Sequence, residues 1–246
     1  MKNNHFIVLV TVHNAVEWIE KCLDSVINQD YKNYKLVVID DHSTDGTWDI
    51  IQKYNALTIR NDIRLTHSLP NMNTGIKTFS SDKEDIIITL DGDDWLSNNS
   101  VLSYLNEIYQ DDIWLTYGQY VPLSNTYSDY CKPIFNTRTY RRNRVWLTSH
   151  LRTFKRKLWD LIDKKDFNDD YGNMLPTCGD LAFMYPMIEM AGIKRIKFID
   201  RILYIYNDLN PHNDMKKFPE VSLITAEYLQ NKPLYDEITD TNDFIN

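Results

Sequence analysis

The stretch IIITLDGDDW, residues 86–95, is the most informative part of the sequence, because a short apolar run ends abruptly in three carboxylates grouped around a glycine. An apolar, β-branched run with polar residues on both sides is typical of a strand buried on both faces of a parallel sheet. Such a strand places Asp91, Asp93 and Asp94 at the sheet edge where open α/β folds bind ligands, and carboxylate oxygens suit Mg²⁺ or Mn²⁺. Alternatively, Asp93 or Asp94 caps a helix that begins near residues 97–100. This stretch alone leaves both interpretations open.

Composition sets broad limits on the class of protein. A chain of 246 residues with 43% hydrophobic and 25% charged residues fits one large globular domain, and no apolar run approaches the roughly 18 residues that span a bilayer. The net charge of −8 disfavours a nucleic-acid binder, because phosphate neutralisation needs clustered Lys and Arg. The opening residues MKNNH lack a signal-peptide layout, so we expect a cytoplasmic protein.

Cysteines and basic residues add two smaller expectations. Cys22, Cys131 and Cys178 are widely separated and show no Cys-x-x-Cys spacing, which indicates reduced thiols rather than a disulfide framework or a structural zinc site. A basic stretch covers residues 138–144, and both a phosphate contact and a solvated face would explain it.

The first third of the chain alternates strands and helices. Apolar runs at residues 6–12, 36–39 and 57–60 predict strands, and three- and four-residue apolar spacing predicts helices within 15–29 and 48–54. This order indicates a parallel α/β sheet. The later predictions are a short helix at 74–79, a helix at 101–108, a strand at 113–121, a long substrate-covering loop at 122–145, helices at 155–162, 180–191 and 221–229, and two strands at 196–199 and 202–206.

Three separated pieces of the sequence resemble one family, the family 2 glycosyltransferases of the GT-A fold. VTVHN (10–14) with CLDSVINQ (22–29) is similar to the opening strand and helix of that family. VVIDDHSTDGT (37–47) resembles its "vvDDgStDgT" signature, and LDGDD (90–94) resembles its "lDaDD" metal motif. The three pieces occur in the family's order and spacing, which makes the joint match more specific than any single motif.

The resemblance implies a single α/β domain of GT-A type, with a Rossmann-like, mostly parallel central sheet flanked by helices and an acceptor-side C-terminal region. Residues 1–120 would form the nucleotide-sugar-binding half. Residues 121–218 would bind the acceptor and supply the catalytic base within the same domain, and residues 219–246 would form a C-terminal helix and tail.

The resemblance also assigns roles in binding the donor. Asp41 would accept a hydrogen bond from the uracil ring of a UDP-sugar, and Thr11 and His13 would line the base and ribose. The motif residues Asp91 and Gly92 would lie near the ribose and the sugar.

A divalent cation, Mn²⁺ or Mg²⁺, is implied as well. Asp93 would coordinate it beside the donor diphosphate, where a cation stabilises the charge that develops on the leaving group. His212, in a segment that resembles the family's closing motif, is a candidate metal or diphosphate ligand, although it could equally be an ordinary surface histidine. Asp94 is then expected to cap the following helix.

The expected catalytic base is Asp180, in CGDLAF (178–183), where the resemblance places the carboxylate of inverting members. One positioned base must take the proton of the acceptor hydroxyl as its oxygen attacks the sugar. The competing interpretation is a first-turn Asp stabilised by the helix dipole. His150 would help to orient donor or acceptor, or would be a structural histidine at a strand end.

Departures from the family pattern refine the expected function. The segment that usually helps to hold the donor is represented only by NTGIK (73–77), and the Gln-x-x-Arg-Trp motif of processive synthases is absent. We therefore expect an inverting, metal-dependent enzyme that moves a single sugar from a nucleotide-sugar, expected to be a UDP-sugar, to a hydroxyl acceptor in glycan synthesis. The alternatives are a nucleotidyltransferase that acts on sugar phosphates and a catalytically silent sugar-nucleotide or glycan-binding module. The sequence leaves the sugar, the acceptor and the oligomeric state open.

Overall fold

A computed structural model describes residues 2–124, 131–211 and 218–239, and within them the chain forms one mixed sheet with helices on both faces. The strands are β1 (Phe6–Val12), β2 (Tyr34–Asp40), β3 (Leu57–Arg60), β4 (Ile86–Asp91), β5 (Trp95–Leu96), β6 (Leu115–Pro122), β7 (Thr153–Lys155) and β8 (Ile196–Tyr206). The α-helices are α1 (Ile19–Ile27), α2 (Thr47–Ile51), α3 (Ser68–Phe79), α4 (Val101–Ile108), α5 (Thr137–Tyr140), α6 (Arg156–Leu161), α7 (Gly179–Ala191) and α8 (Pro219–Asn231).

The strand order is β3-β2-β1-β4-β7-β6-β8-β5. The first four strands in this order run parallel, and β6 and β8 also run parallel to each other. β7 is antiparallel to both β4 and β6, and β5 is antiparallel to β8. The predicted α/β class with a mostly parallel sheet flanked by helices is therefore confirmed.

Strand β1 shows why the apolar runs form central strands. Phe6 and Val8 point to one face and pack in a cluster that contains Ile19 of α1. Ile7 points to the other face and packs in a cluster that contains Leu69 of α3. Because successive side chains of a strand alternate between faces, a strand covered by helices on both sides needs an unbroken apolar run.

Several predicted boundaries differ from the structure. Residues 196–206 form one strand rather than two, with an irregular register against β6 that accommodates the polar residues in its middle. α3 begins at Ser68, well before the predicted residue 74. Residues 153–155 are strand β7, so the helix predicted from residue 155 begins at Arg156. Ile27, one of the apolar residues whose spacing predicted the helix within 15–29, is 40% exposed at the last position of α1.

The basic stretch at residues 138–144 has a structural role. This role differs from both sequence-based interpretations, a phosphate contact and a solvated face. The Arg141 side chain is 3% exposed and its Nε lies 2.7 Å from Oε1 of Glu189 in α7. Arg142 donates hydrogen bonds to the backbone carbonyls of Gln230 and Lys232, and Arg138 donates to that of Tyr235. Arg138 and Arg142 therefore fasten the end of the last helix and the segment after it, whereas Arg141 pairs with α7. None of the helices in the described ranges is long and apolar enough to cross a membrane.

Candidate functional site

The carboxyl ends of β1, β2 and β4 lie side by side and bring the predicted donor residues to one edge of the sheet. Thr11 is paired with Asp91 across β1 and β4, and the backbone N–H of Asp41 donates to the carbonyl of Val12 at 2.8 Å. Nδ1 of His13 lies 2.8 Å from the backbone carbonyl oxygen of Asp41. This proximity follows from the parallel register, because the ends of adjacent parallel strands share one edge.

Gly92 lies at the point where the chain turns back over the end of β1. Its N–H donates to the carbonyl of Thr11 at 3.0 Å. A Cβ at this position would lie 2.5 Å from Cβ and Cγ2 of Val12, which is closer than real Cβ atoms approach their neighbours. The glycine therefore allows Asp91 and Asp93 to be held directly against β1.

Asp94 does not cap the following helix, so that prediction is wrong. α4 begins at Val101 with Ser100 as its N-cap residue. Asp94 is buried and accepts hydrogen bonds from the hydroxyl of Tyr204 and from the backbone N–H of Asn207, each at 2.6 Å. The chain enters strand β5 immediately after Asp94, which directs the carboxylate toward the end of β8 instead. Burial, followed by the charges of Asp93 and Asp91, raises the pKa of Asp94 well above its ordinary value.

His150 is enclosed by tyrosines. Its ring stacks on Tyr204, with 4.3 Å between ring centroids and 13° between planes, and on Tyr206 at 5.6 Å. Tyr120 meets the imidazole edge-on at 5.7 Å. Burial, together with the charge of Arg152, lowers the pKa of His150 well below its ordinary value. The imidazole is therefore neutral near pH 7, the form in which histidine binds metal ions.

Asp91, Asp94 and His150 form a potential cation site. Each offers one ligand atom, and these atoms lie within 4.8 Å of one another. Carboxylate oxygens and a neutral imidazole nitrogen are ligands for divalent metal ions, and the buried Nδ1 of His150 has no hydrogen-bond partner in the described part of the chain. The structure thus adds His150 and Asp94 to the residues that could hold the expected cation.

Asp93 and His212 were the ligands expected from the sequence. Asp93 is adjacent to the group of Asp91, Asp94 and His150, and its Oδ2 accepts a hydrogen bond from Nδ2 of Asn210 at 2.7 Å. His212 lies outside the described residues. Metal binding by these two residues stays a prediction.

Asp180 occupies the first turn of α7 and forms an ion pair with Arg152. Nη2 of Arg152 lies 2.8 Å from Oδ2 of Asp180, whose side chain is 28% exposed, whereas the Arg152 side chain is 8% exposed. The other oxygen, Oδ1, accepts a hydrogen bond from the backbone N–H of Leu181 at 3.0 Å. Cys178, and not Asp180, is the N-cap residue of α7. The carboxylate is therefore partly open to solvent, and its orientation is fixed by Arg152 and the N–H of Leu181.

The sequence interpretation assigned no role to several residues that build this site. Arg152 immediately precedes β7, a three-residue strand that pairs with β4 and β6, and this pairing carries Arg152 to the site edge. Tyr204 and Tyr206 lie on the same face of β8, and Tyr204 is fully buried, so nothing in their spacing distinguishes site tyrosines from core tyrosines. Asn61 contacts Asp41 from the loop after β3, and no sequence pattern marks it.

Residues 7–171 match the model of the family described as "Glycosyl transferase family 2". The chain belongs to glycosyl transferase family 2. This result confirms the resemblance that the motifs at residues 10–14, 37–47 and 90–94 indicated.

Curated relatives match different lengths of this chain. Glycosyltransferase GlyA of Streptococcus pneumoniae is 32% identical over 115 residues, which is 43% of this chain and 16% of GlyA. Glycosyltransferase GlyG of the same organism is 25% identical over 224 residues, which is 81% of this chain and 69% of GlyG. The poly(ribitol-phosphate) beta-glucosyltransferase of Bacillus spizizenii is 27% identical over 119 residues, and the match covers 18% of that protein. The chain thus matches less than a fifth of GlyA and of the Bacillus enzyme.

Solved structures confirm the GT-A fold. Staphylococcus aureus TarS 1-349 in complex with UDP-GlcNAc superimposes with a TM-score of 0.67 and 18% identity, covering 94% of this chain and 68% of that one. The mannosyltransferase PcManGT of Pyrobaculum calidifontis, in complex with GDP-Man and Mn²⁺, gives a TM-score of 0.64 at 18% identity, covering 94% and 66%. At these identities the likeness establishes the fold alone.

Proposed function

We propose that this chain is an inverting glycosyltransferase that moves one sugar from a UDP-sugar to a hydroxyl group of a glycan acceptor, with the help of a divalent cation. The observation that carries the proposal is the continuous path of side chains from His150 through Arg152 to Asp180. It joins a potential cation site to a carboxylate that is partly open to solvent. Reduced, buried Cys22 and Cys131 agree with the cytoplasmic location that we expected.

Asp180 is the proposed base. Its carboxylate takes the proton of the acceptor hydroxyl while the hydroxyl oxygen attacks the anomeric carbon. A bond forms between that oxygen and the anomeric carbon, and the bond from the anomeric carbon to the donor diphosphate breaks on the opposite face. The configuration of the sugar is thereby inverted, and the nucleoside diphosphate leaves with the bonding electron pair. Arg152 holds Asp180 in one orientation throughout.

The expected cation fits the residues present. Asp91, Asp94 and His150 offer ligand atoms of the right type within 4.8 Å, and Asp93 adjoins them. When bound, Mn²⁺ or Mg²⁺ would offset the negative charge of the departing diphosphate. The residues themselves exclude water, because His150 and Asp94 are buried beneath the tyrosines of β6 and β8.

The donor is proposed from the position of Asp41 and from the ligands of similar proteins. Asp41, Thr11 and His13 lie at the ends of β1 and β2, where a base and ribose would bind. One TarS structure holds UDP-GlcNAc and the PcManGT structure holds GDP-Man. The matched signature at residues 37–47 favours uracil for this chain.

The proposal is tested by measuring sugar transfer and donor hydrolysis with a panel of UDP- and GDP-sugars in the presence and absence of Mn²⁺. We expect Asp180→Asn to abolish transfer while leaving donor binding intact, and Asp93→Ala to weaken Mn²⁺ binding measured by calorimetry. Asp30→Asn changes an exposed carboxylate just after α1 and serves as the matched control. Full activity in both site variants would refute the assigned chemistry. Nucleotide binding without turnover on any acceptor would indicate a silent binding module instead.

A further inference from the structure

Asp41 is nearly saturated with hydrogen bonds before any nucleotide binds. Its Oδ1 accepts from Nδ2 of Asn61 and from the backbone N–H of Leu65, both at 2.8 Å, and its Oδ2 accepts from the backbone N–H of Thr66 at 3.0 Å. An ionised carboxylate offers about four lone-pair sites, two on each oxygen. With these three donors from the described residues, Oδ1 is filled and Oδ2 retains one free site.

Asn61 is fixed in this role by its own contacts. The second hydrogen of its Nδ2 is directed to Oδ1 of Asn71, at 2.7 Å, and its backbone N–H donates to the carbonyl of Asp40 at 2.9 Å. Asn71 is 2% exposed, and its Nδ2 donates to the carbonyl of His67 at 3.2 Å. Because both hydrogens of the Asn61 amide are engaged, the amide cannot rotate away from Asp41 without loss of two hydrogen bonds.

We propose that Asn61, held by Asn71, determines the base specificity of the donor site by filling Oδ1 of Asp41. Uracil presents a single donor on its pairing edge, N3–H, between two carbonyl groups. Guanine presents two adjacent donors, N1–H and the N2 amino group, which pair best with both oxygens of one carboxylate. The single free site on Oδ2 matches uracil and leaves one guanine donor without a partner. A buried donor without a partner is costly, so guanine is rejected. This inference rests on the proposed function and names the residue that selects its donor.

The test compares dissociation constants for UDP and GDP, each with Mn²⁺, by calorimetry. The phosphates and the cation are common to both nucleotides, so the ratio of the two constants isolates the base. Wild type is expected to bind UDP more tightly. Asn61→Ala frees one site on Oδ1, so we expect the dissociation constant for GDP to fall about tenfold relative to that for UDP. A change of about tenfold corresponds to the free energy of one hydrogen bond to a charged group. Asn71→Ala releases Asn61 and should move the ratio in the same direction by a smaller factor.

Ile63→Ala is the matched control, because Ile63 lies in the same loop and is 70% exposed. The ratio of its UDP and GDP dissociation constants should equal that of wild type. Circular dichroism establishes that each variant is folded. Equal binding of UDP and GDP by wild type, or an unchanged ratio in folded Asn61→Ala, would overturn the inference while leaving the proposed reaction intact. Binding of neither nucleotide by wild type would overturn the proposed function and this inference with it.

Discussion

Nη2 of Arg152 lies 2.8 Å from Oδ2 of Asp180 and 3.4 Å from Nε2 of His150, so one guanidinium group connects the proposed base to the potential cation site. Arg152 is buried, and a planar guanidinium held by its surroundings fixes the direction of the carboxylate that it contacts. The base and the histidine are thus positioned by the same side chain.

Replacing Arg152 should therefore slow the reaction more than it weakens substrate binding. We expect Arg152→Ala to lower kcat by about 10- to 100-fold, because misorientation of a general base forfeits much of the 10²- to 10⁴-fold that such a base contributes. Arg152→Lys should recover only part of the rate, since an ammonium group lacks the planar fork. Initial rates over a range of donor and acceptor concentrations measure both effects. A rise in KM with kcat unchanged would show that Arg152 binds substrate instead of orienting Asp180.

Gly92→Ala should destabilise the protein through one steric overlap. The new methyl group would lie 2.5 Å from Val12, and overpacking of this kind costs about 1–3 kcal/mol. Gly179→Ala is the comparison, because its methyl group would come no closer than 3.2 Å to a side-chain oxygen, Oγ of Ser68. Urea denaturation of both variants measures the difference. Equal stabilities would contradict the account of the tight turn after β4.

The Arg141–Glu189 ion pair should contribute much more to stability than a surface pair. Both side chains are buried, at 3% and 1% exposure, and removing one partner of a buried pair costs about 3–5 kcal/mol. Arg141→Met should therefore lower the free energy of unfolding by several kcal/mol. In contrast, Arg144 and Glu227 are 60% and 58% exposed at 3.1 Å, and Arg144→Ala should cost less than about 1 kcal/mol. A similar loss of unfolding free energy in Arg141→Met and Arg144→Ala would show that burial does not determine how much the Arg141–Glu189 pair contributes.

Lys164 should make the stability depend on pH in the alkaline range. Burial lowers the pKa of Lys164 from 10.5 to about 8, and its ammonium lies over the ring of Trp159. Between pH 8 and 10.5 the unfolded chain therefore holds a proton that the folded chain has released. The contribution of Lys164 to the free energy of unfolding therefore becomes more favourable as pH rises across that window. Lys164→Met should remove this contribution, so the difference in unfolding free energy between wild type and variant should change with pH there. A constant difference would contradict the lowered pKa.

The parallel half of the sheet was predictable because its strands are encoded locally. Runs such as residues 36–39 and 86–90 are apolar except for Thr89, and the carboxylates that follow them, Asp41 and Asp91, mark the proposed functional edge. The family motifs added the roles proposed for these residues.

Other parts of the site depend on contacts between distant residues, which no local pattern encodes. The role of Asp94 is determined by Tyr204 and Asn207, which are more than a hundred positions away in the chain. β7 has only three residues, and its pairing with β4 and β6 is what places Arg152. Asn61 could not be identified for the same reason, since its contact with Asp41 depends on how the loop after β3 folds back.

The position of β4 in the sheet also has a consequence for biosynthesis. One edge of β4 pairs with β1, which precedes it in the chain, but the other edge pairs with residues 153–155. At about 5–20 residues per second, a ribosome needs several seconds to pass from β4 to β7. During that time the apolar, β-branched segment IIITL has an unpaired edge, which is a template for pairing with other nascent chains. The strand that ends in the proposed donor site is therefore open to such pairing until β7 has been made.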